Sequence, residues 1–348
     1  MFKNYDCLVL FNPSNRFYFS SFSASSGCVI LTRSKKIFIT DFRYTEAAKS
    51  TLSQEWEVVQ HSTQMMTTVM AQIAIISPKA IGFEDDSLPV ATFNKLTDEL
   101  KNILPNTALV PASIDISLKR SIKTDEEISK IAAAQIVAQK AFSKTVDLIK
   151  VGMTEREVAA ELLYHMQIFG ASGAAFDTIV AFGPNSASPH HKTGDKKLQK
   201  GDIILIDMGA KVNGYCSDMT RTFCLNDTSS QLKDLHALVL EAQEKALQGI
   251  RAGMTTREAD AICREFFKAN GYEKEFGHSL GHGLGIDLHE FPPVSFAIDE
   301  VLQANMVISV EPGLYIDGVG GVRIEDIVVI KENEPPINLT NMSKKIKL

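Results

Sequence analysis

LQKGDIILIDMGAKVNGYCSDMTRTF, residues 198–223, runs an apolar strand into a carboxylate, Asp207, then turns at Asn213-Gly214 and returns through a second acid, Asp218. An Asn-Gly pair between β-like runs is a strong hairpin signal, so the two acids are expected on adjacent strands. A diverged copy follows. LQANMVISVEPG from Leu302 repeats LQKGDIILIDMGA at an offset of 104 (302 − 198), which sets Glu311 in register with Asp207. Upstream, VGMTEREVAAEL from Val151 is matched by AGMTTREADAIC from Ala252, an offset of 101 (252 − 151). Each half reads as a Gly-Met-Thr helix start, an amphipathic helix, a loop and a buried strand ending in a carboxylate. A period near a hundred residues is too long for a solenoid and marks a duplicated half-domain. Two halves packed about a pseudo-twofold axis would bring the acidic strand ends together.

Before this duplication, the runs CLVLF, GCVIL and KIFIT alternate with helical stretches at Tyr44–Ser50 and Leu88–Ile103, the pattern of a compact α/β domain. Pro105 and Pro111 punctuate a boundary around Ser113–Ser121, after which a long helix opens with Thr124 as N-cap and Glu127 completing a capping box. The expected division is 1–120 and 121–348. A length of 348 residues suits two domains, and 45% hydrophobic with 22% charged residues is the composition of a folded globular protein. The net charge of −6 argues against nucleic acid and membrane surfaces as partners. Asp6, Asn12 and Asn15 interrupt the N-terminal apolar residues, so neither a signal-peptide core nor a spanning helix is expected there, and the expected location is cytoplasmic. Five scattered cysteines without a CxxC pair speak against disulfides and against a thiolate zinc site; they read as buried small hydrophobes.

The acids carry the chemistry. Two buried carboxylates repel each other and lose hydration unless a cation neutralises them. For Asp207 and Asp218 alone, a turn cap and a pairing with Arg221 would suffice; of Glu311 in ANMVISVEPG and Glu325 in GGVRIED, one could be satisfied by Arg323, the structural alternative there. Four such acids exceed what one arginine can satisfy. Six of eight histidines lie between positions 190 and 289, and three fall in GHSLGHGLGIDLHE among Gly277, Gly281, Gly283 and Gly285. These glycines are expected to let backbone approach a ligand or metal closely, and a helix is not expected despite the spacing of His278 and His282. Oxygen-rich donors with imidazole favour divalent manganese, cobalt or iron over structural zinc. A two-metal site of this kind suits hydrolysis of a polarised carbonyl.

The phrases FGPNSASPHH, IDMGAKVNGYCSDMTRTF, HSLGHGLGIDLHE, EPGLYI and GVRIED together resemble the pita-bread metallopeptidases. The likeness is to the proline-specific branch, Xaa-Pro aminopeptidase and Xaa-Pro dipeptidase (prolidase). TDFRYTEAA, IGFE and RSIKTDEEI resemble that branch's N-terminal domain and link. The resemblance implies an α/β (α+β) chain: a creatinase-like α/β domain, then a pita-bread domain of two pseudo-symmetric repeats. It implies Asp207, Asp218, His282, Glu311 and Glu325 as ligands of two divalent ions, manganese first, with cobalt or zinc as the other choices. Asp218 and Glu325 would bridge, Asp207 would serve one ion, and His282 with Glu311 the other. His190, His278 and His289 match catalytic and substrate-contacting histidines. In the mechanism it implies, Glu311 would shuttle a proton, His278 would stabilise an oxyanion, and Arg323 would orient ligands or bind a substrate carboxylate. His191 matches nothing and reads as an exposed loop residue. VAFG before Pro184 in place of VASG, and Leu288, depart from the pattern without touching a ligand.

The implied activity is cleavage of the Xaa-Pro bond at peptide N-termini by a homodimer, with a peptide carrying proline second as partner. Restriction to dipeptides is the alternative, followed by methionine aminopeptidase. Creatine hydrolysis, which uses the same two-domain plan without metal, and a ligand-free peptide-binding scaffold are both disfavoured by the intact set of five.

Overall fold

A computed structural model describes residues 3–62, 64–224 and 228–345. The chain divides into two units, Met1–Arg120 and Ser121–Leu348. In the first, β1 (Cys7–Leu10), α1 (Pro13–Ser20), β2 (Cys28–Thr32), β3 (Lys36–Thr40), α2 (Phe42–Thr51) and β4 (Trp56–Gln60) are followed by α3 (Met65–Ile76), β5 (Ala80–Phe83), α4 (Val90–Ile103), β6 (Ala108–Pro111) and α5 (Ser113–Ser121). The strands form one mixed sheet in the order β4-β3-β2-β1-β5-β6. CLVL and CVIL are apolar on both faces because they lie at its centre, covered on both sides. The stretch around which the boundary was expected, Ser113–Ser121, is helix α5. Its start is secured from a distance: Asp85 Oδ1 accepts from the Ala112 and Ser113 amides at 3.1 and 3.0 Å. No local residue announces that cap.

The second unit contains α6 (Asp125–Val146), α7 (Glu155–Ile168), β7 (Gly173–Ala174), β8 (Ile179–Phe182), β9 (Ile203–Met208), β10 (Ala210–Val212), β11 (Tyr215–Cys216), β12 (Met219–Cys224) and α8 (Ser230–Gly249). After these come α9 (Thr256–Ala269), β13 (Gly281–Gly283), β14 (Glu290–Val294), β15 (Val307–Val310), β16 (Gly313–Ile316), β17 (Gly320–Arg323), β18 (Asp326–Val329) and β19 (Ile337–Asn338). The duplication is visible in detail. α7 and α9 both open on capping boxes, Thr154–Glu157 and Thr255–Glu258. Each follows a glycine at positive φ, Gly152 at 95° and Gly253 at 88°. The Gly152 amide donates to Leu198 and the Leu198 amide to Met153; Gly253, Leu302 and Met254 repeat this, all at 2.8–2.9 Å. The strands follow suit, as β9 lies between β8 and β12, and β15 between β13 and β18. Asn213 and Gly214 both take positive φ in the tight turn joining β10 to β11.

Arg221 crosses from one half to the other. Fully buried on β12, it pairs with Asp326 at 2.8 Å and donates to the carbonyls of Glu325, Met342 and Ser343. It is therefore not the partner of Asp218. Burial by itself would raise the Asp326 pKa, but Arg221 and Lys344 hold it below the ordinary value. That stabilisation is fully present above the unfolded carboxylate pKa and is lost as pH falls through the lower folded value. Arg221→Met removes one of the two cations that face the buried Asp326 carboxylate and leaves Lys344 at 3.0 Å, so a loss of up to about 3–5 kcal/mol is expected, read from urea midpoints at pH 7. A midpoint unchanged from wild type would mean that Lys344 alone suffices to neutralise Asp326.

Cys7, Cys28, Cys216 and Cys263 are free and buried, as small hydrophobes; the Cys224 side chain lies outside the described residues. Among the described residues no helix is long and apolar enough to cross a membrane.

Candidate metal centre

The carboxylates enter the site from equivalent places in the two repeats. Asp207 is the next-to-last residue of the central strand β9 and Glu311 directly follows its counterpart β15; Asp218 immediately precedes β12 and Glu325 immediately precedes β18. Register places Thr220 opposite Asp207 and Asp326 opposite Val310. The two halves are then tied at Thr220, whose hydroxyl donates to Glu325 Oε2 at 2.7 Å and accepts from Arg323 Nε at 3.1 Å. Asp218, His282 and Glu325 each offer a ligand atom within 4.8 Å of one another. His282 Nε2 lies 3.5 Å from Asp218 and 3.3 Å from Glu311, while Ser309 Oγ holds Glu311 at 2.9 Å.

His282 stands on β13, not on a helix, and the glycines beside it have a different purpose from the one expected. A Cβ on Gly281 would sit 2.1 Å from the Ser309 carbonyl oxygen, and one on Gly283 would sit 2.5 Å from that of Phe291. The close approach is of neighbouring backbone, which presses the His282 strand against the chain bearing Glu311.

Electrostatics show what this cluster lacks. Burial, then Asp207 and Glu311, push Asp218 far above the usual carboxylate range; burial, then Asp218 and Glu311, do the same to Glu325. Burial also raises Asp207, against the pull of Arg323. Asp207 Oδ1, Asp218 Oδ1 and Glu325 Oε1 are buried and meet no donor among the described residues. Orphaned, mutually repelling carboxylate oxygens beside an imidazole nitrogen are the donor set of a divalent cation site, so the residues fit the metal that the sequence implies.

Arg323 pairs with Asp207 at 2.7 Å and not with Glu325. Its other contacts are Thr220 Oγ1, the Pro189 carbonyl at 3.3 Å and Tyr315 Oη at 2.7 Å, so in this structure it is held so as to orient the Asp207 carboxylate. Tyr315, which the sequence reading quoted in EPGLYI without singling out, is buried, with its pKa pushed up to about 12 mainly by burial. Its hydroxyl meets His278 Nε2 at 3.0 Å, and His278 Nδ1 faces the Ser279 carbonyl at 2.8 Å. Burial lowers the His278 pKa, so the ring is neutral: Nδ1 donates to the carbonyl and Nε2 accepts from Tyr315. In this state both nitrogens face protein partners, and donation to an oxyanion would require one of them to be given up. His289 packs edge-on against His282 at 4.4 Å, its pKa lowered by burial and then by His282. His190 is exposed at the rim. His191 corrects the sequence reading: its ring is only 17% exposed and lies 2.8 Å from Glu155.

All the expected site residues line one cavity of about 800 Å³, whose apolar walls include Phe176, Ile179, Leu288, Phe291 and Pro293. Thr220, Tyr315 and Ser309 are the contributors that sequence reasoning missed. Thr220 and Ser309 lie two residues from Asp218 and Glu311 respectively, a spacing that could have flagged them.

The model for metallopeptidase family M24 matches residues 129–332, and that for the creatinase/prolidase N-terminal domain matches residues 3–122. The Xaa-Pro dipeptidase of Pyrococcus furiosus is 42% identical over 274 residues, covering 72% of this chain and 78% of that protein. The solved Xaa-Pro dipeptidase from Bacillus anthracis superposes with a TM-score of 0.92 at 37% identity, over 99% of this chain and 95% of that one. The X-Pro aminopeptidase from Thermotoga maritima does so at 0.92 and 36%, over 99% and 98%. With both domains matched in order and carboxylates gathered where the two repeats meet, this chain belongs to metallopeptidase family M24, in its pita-bread proline peptidase branch.

Proposed function

We propose that this protein is a two-metal peptidase that hydrolyses the Xaa-Pro bond at the N-terminus of peptides. The observation that carries it is the buried carboxylate cluster with three orphaned oxygens at the floor of an 800 Å³ cavity. Asp207, Asp218, His282, Glu311 and Glu325 would hold the ions, with Asp218 and Glu325 shared. Bound there, divalent cations supply a Lewis acid and lower the pKa of water to near neutrality. The rest falls to the chain. Arg323, held by Tyr315 and Thr220, fixes the Asp207 carboxylate and keeps its remaining oxygen turned to the site. Glu311, oriented by Ser309, is placed to take a proton from the attacking water and pass it to the departing nitrogen. His289 and His190 stand on the substrate side, and the tertiary amide of an Xaa-Pro bond, having no N–H, suits the aromatic and aliphatic walls.

The cavity is of a size that encloses drug-sized ligands, which leaves room beyond two residues and supports action on peptides longer than a dipeptide. A dipeptide-restricted enzyme is the second reading, favoured by the names of the Pyrococcus furiosus and Bacillus anthracis relatives. Product analysis with added manganese separates them. Alanine release from both Ala-Pro and Ala-Pro-Ala is the expected result; release from Ala-Pro alone would establish the dipeptidase, and inertness toward both, with cleavage of Met-Ala, would end the proline reading. The same proposal takes manganese as the ion, a homodimer as the assembly and the cytoplasm as the location; metal analysis and light scattering test the first two.

A further inference from the structure

The segment between β8 and β9 carries His190 to the cavity rim, and both chain neighbours of that residue are held. The Pro189 carbonyl accepts from Arg323 Nη1 at 3.3 Å, and His191 Nε2 meets Glu155 Oε2 at 2.8 Å. Glu155, the first residue of α7, has a side chain with no exposure. Its Oε1 accepts from the Phe182 amide at 3.0 Å and Asn185 Nδ2 at 2.9 Å; its Oε2 also accepts from the Gly194 amide at 3.0 Å. One buried carboxylate thus gathers both ends of the His190 segment.

The duplication supplies an internal control. The position equivalent to Glu155 in the second half is Thr256 (155 + 101), also buried and also first in its helix, α9. The backbone joint is the same: the Glu155 amide donates to Lys196, and the Thr256 amide to Glu300. There a single hydroxyl completes it, donating to Ile298 and accepting from the Glu300 amide. A helix start and its joint therefore need no carboxylate. Nor is one needed for the helix dipole, which solvent-facing Glu157 already complements. Burying an anion is costly without several donors, and the donors that Glu155 collects come from both sides of the segment that carries His190.

We propose that Glu155 and His191 are a positioning pair that holds His190 in its working place. This rests on the reading of His190 as a substrate-side group in Xaa-Pro hydrolysis. His191 is the hinge of the device: its imidazole ties the chain directly after His190 to the carboxylate, and it is not among the residues that line the cavity.

The test uses the manganese-loaded full-length protein and Ala-Pro. His191→Ala and Glu155→Gln are expected to lower kcat about 10- to 100-fold, the scale of misplacing a reacting group, with KM and bound manganese near wild type. His191→Gln, whose amide can still donate toward Glu155, should recover most of the loss. The decisive measurement is a double-mutant cycle. If the pair acts through His190, His191→Ala adds less than twofold to a protein already carrying His190→Ala; multiplicative losses would show an independent structural effect and overturn the proposal. Should Glu155→Gln fail to fold, His191→Ala, which leaves three donors on Glu155, decides alone. Full kcat in His191→Ala beside an impaired His190→Ala ends the positioning role only, whereas full kcat in His190→Ala ends the reading beneath it as well.

Discussion

Asp218→Ala is expected to lower kcat on Ala-Pro by about two to three orders of magnitude at saturating manganese. Removing one preorganised donor from an active site costs on the order of 10²–10³, and Asp218 sits in the one compact three-ligand cluster found among the described residues. Bound manganese should fall in parallel. Asp218→Asn, which keeps the shape but not the charge, should be nearly as impaired. Stability should behave oppositely. Asp218 is ionised only against burial and the repulsion of Asp207 and Glu311, so the metal-free Ala variant should melt no lower than metal-free wild type at pH 7. Undiminished turnover would remove Asp218 from the metal centre, and a large drop in melting temperature without metal would mean that the carboxylate is structural.

Chelation of the wild-type protein should have the second largest effect. Lewis-acid stabilisation is worth several kcal/mol, so activity should fall by two to three orders of magnitude and return on adding manganese. Folding is linked to the same event. At a free ion concentration a hundredfold above Kd, binding stabilises by about 2.7 kcal/mol, or roughly 5–10 °C for a unit of this size. The pH dependence has a definite sign. Asp218 and Glu325 have folded pKa values well above their unfolded ones. In the metal-free protein, stability is therefore fully present below the unfolded carboxylate pKa and is lost as pH rises through the raised folded values. The gap in melting temperature between loaded and metal-free protein should widen from about pH 4 toward neutrality, beginning where unfolded carboxylates ionise. A gap that is constant with pH, or a chelated protein that is fully active, would argue that no cation resolves the carboxylate repulsion.

The sequence reading reached furthest where short-range rules act. The capping box at Thr124 and the Gly-Met-Thr starts of the two later helices rest on local hydrogen-bond patterns, and the Asn213-Gly214 turn follows from what those two residues tolerate. It failed where a partner lies far along the chain. Helix α5 is capped by Asp85, and Ser113–Ser121 contains nothing that says so. Arg221, weighed as a partner for one of Asp207 and Asp218, reaches Asp326, and Arg323, weighed as a partner for one of Glu311 and Glu325, reaches Asp207. His191, dismissed as a loop residue, is covered by Glu155.

Composition, periodicity and the internal repeat were enough to determine that this chain carries two related half-domains, each ending a buried strand in an acid. Motif order further pointed to the proline peptidase branch of the pita-bread metallopeptidases. Tertiary structure alone decided which charges neutralise one another, why glycines flank His282, and that Tyr315, Thr220 and Glu155 stand behind the residues facing the cavity. The reason is physical. Propensities and turns are set by neighbours within a few positions, whereas buried charge must find its counterpart wherever packing brings one, here about a hundred residues away across the pseudo-twofold joint.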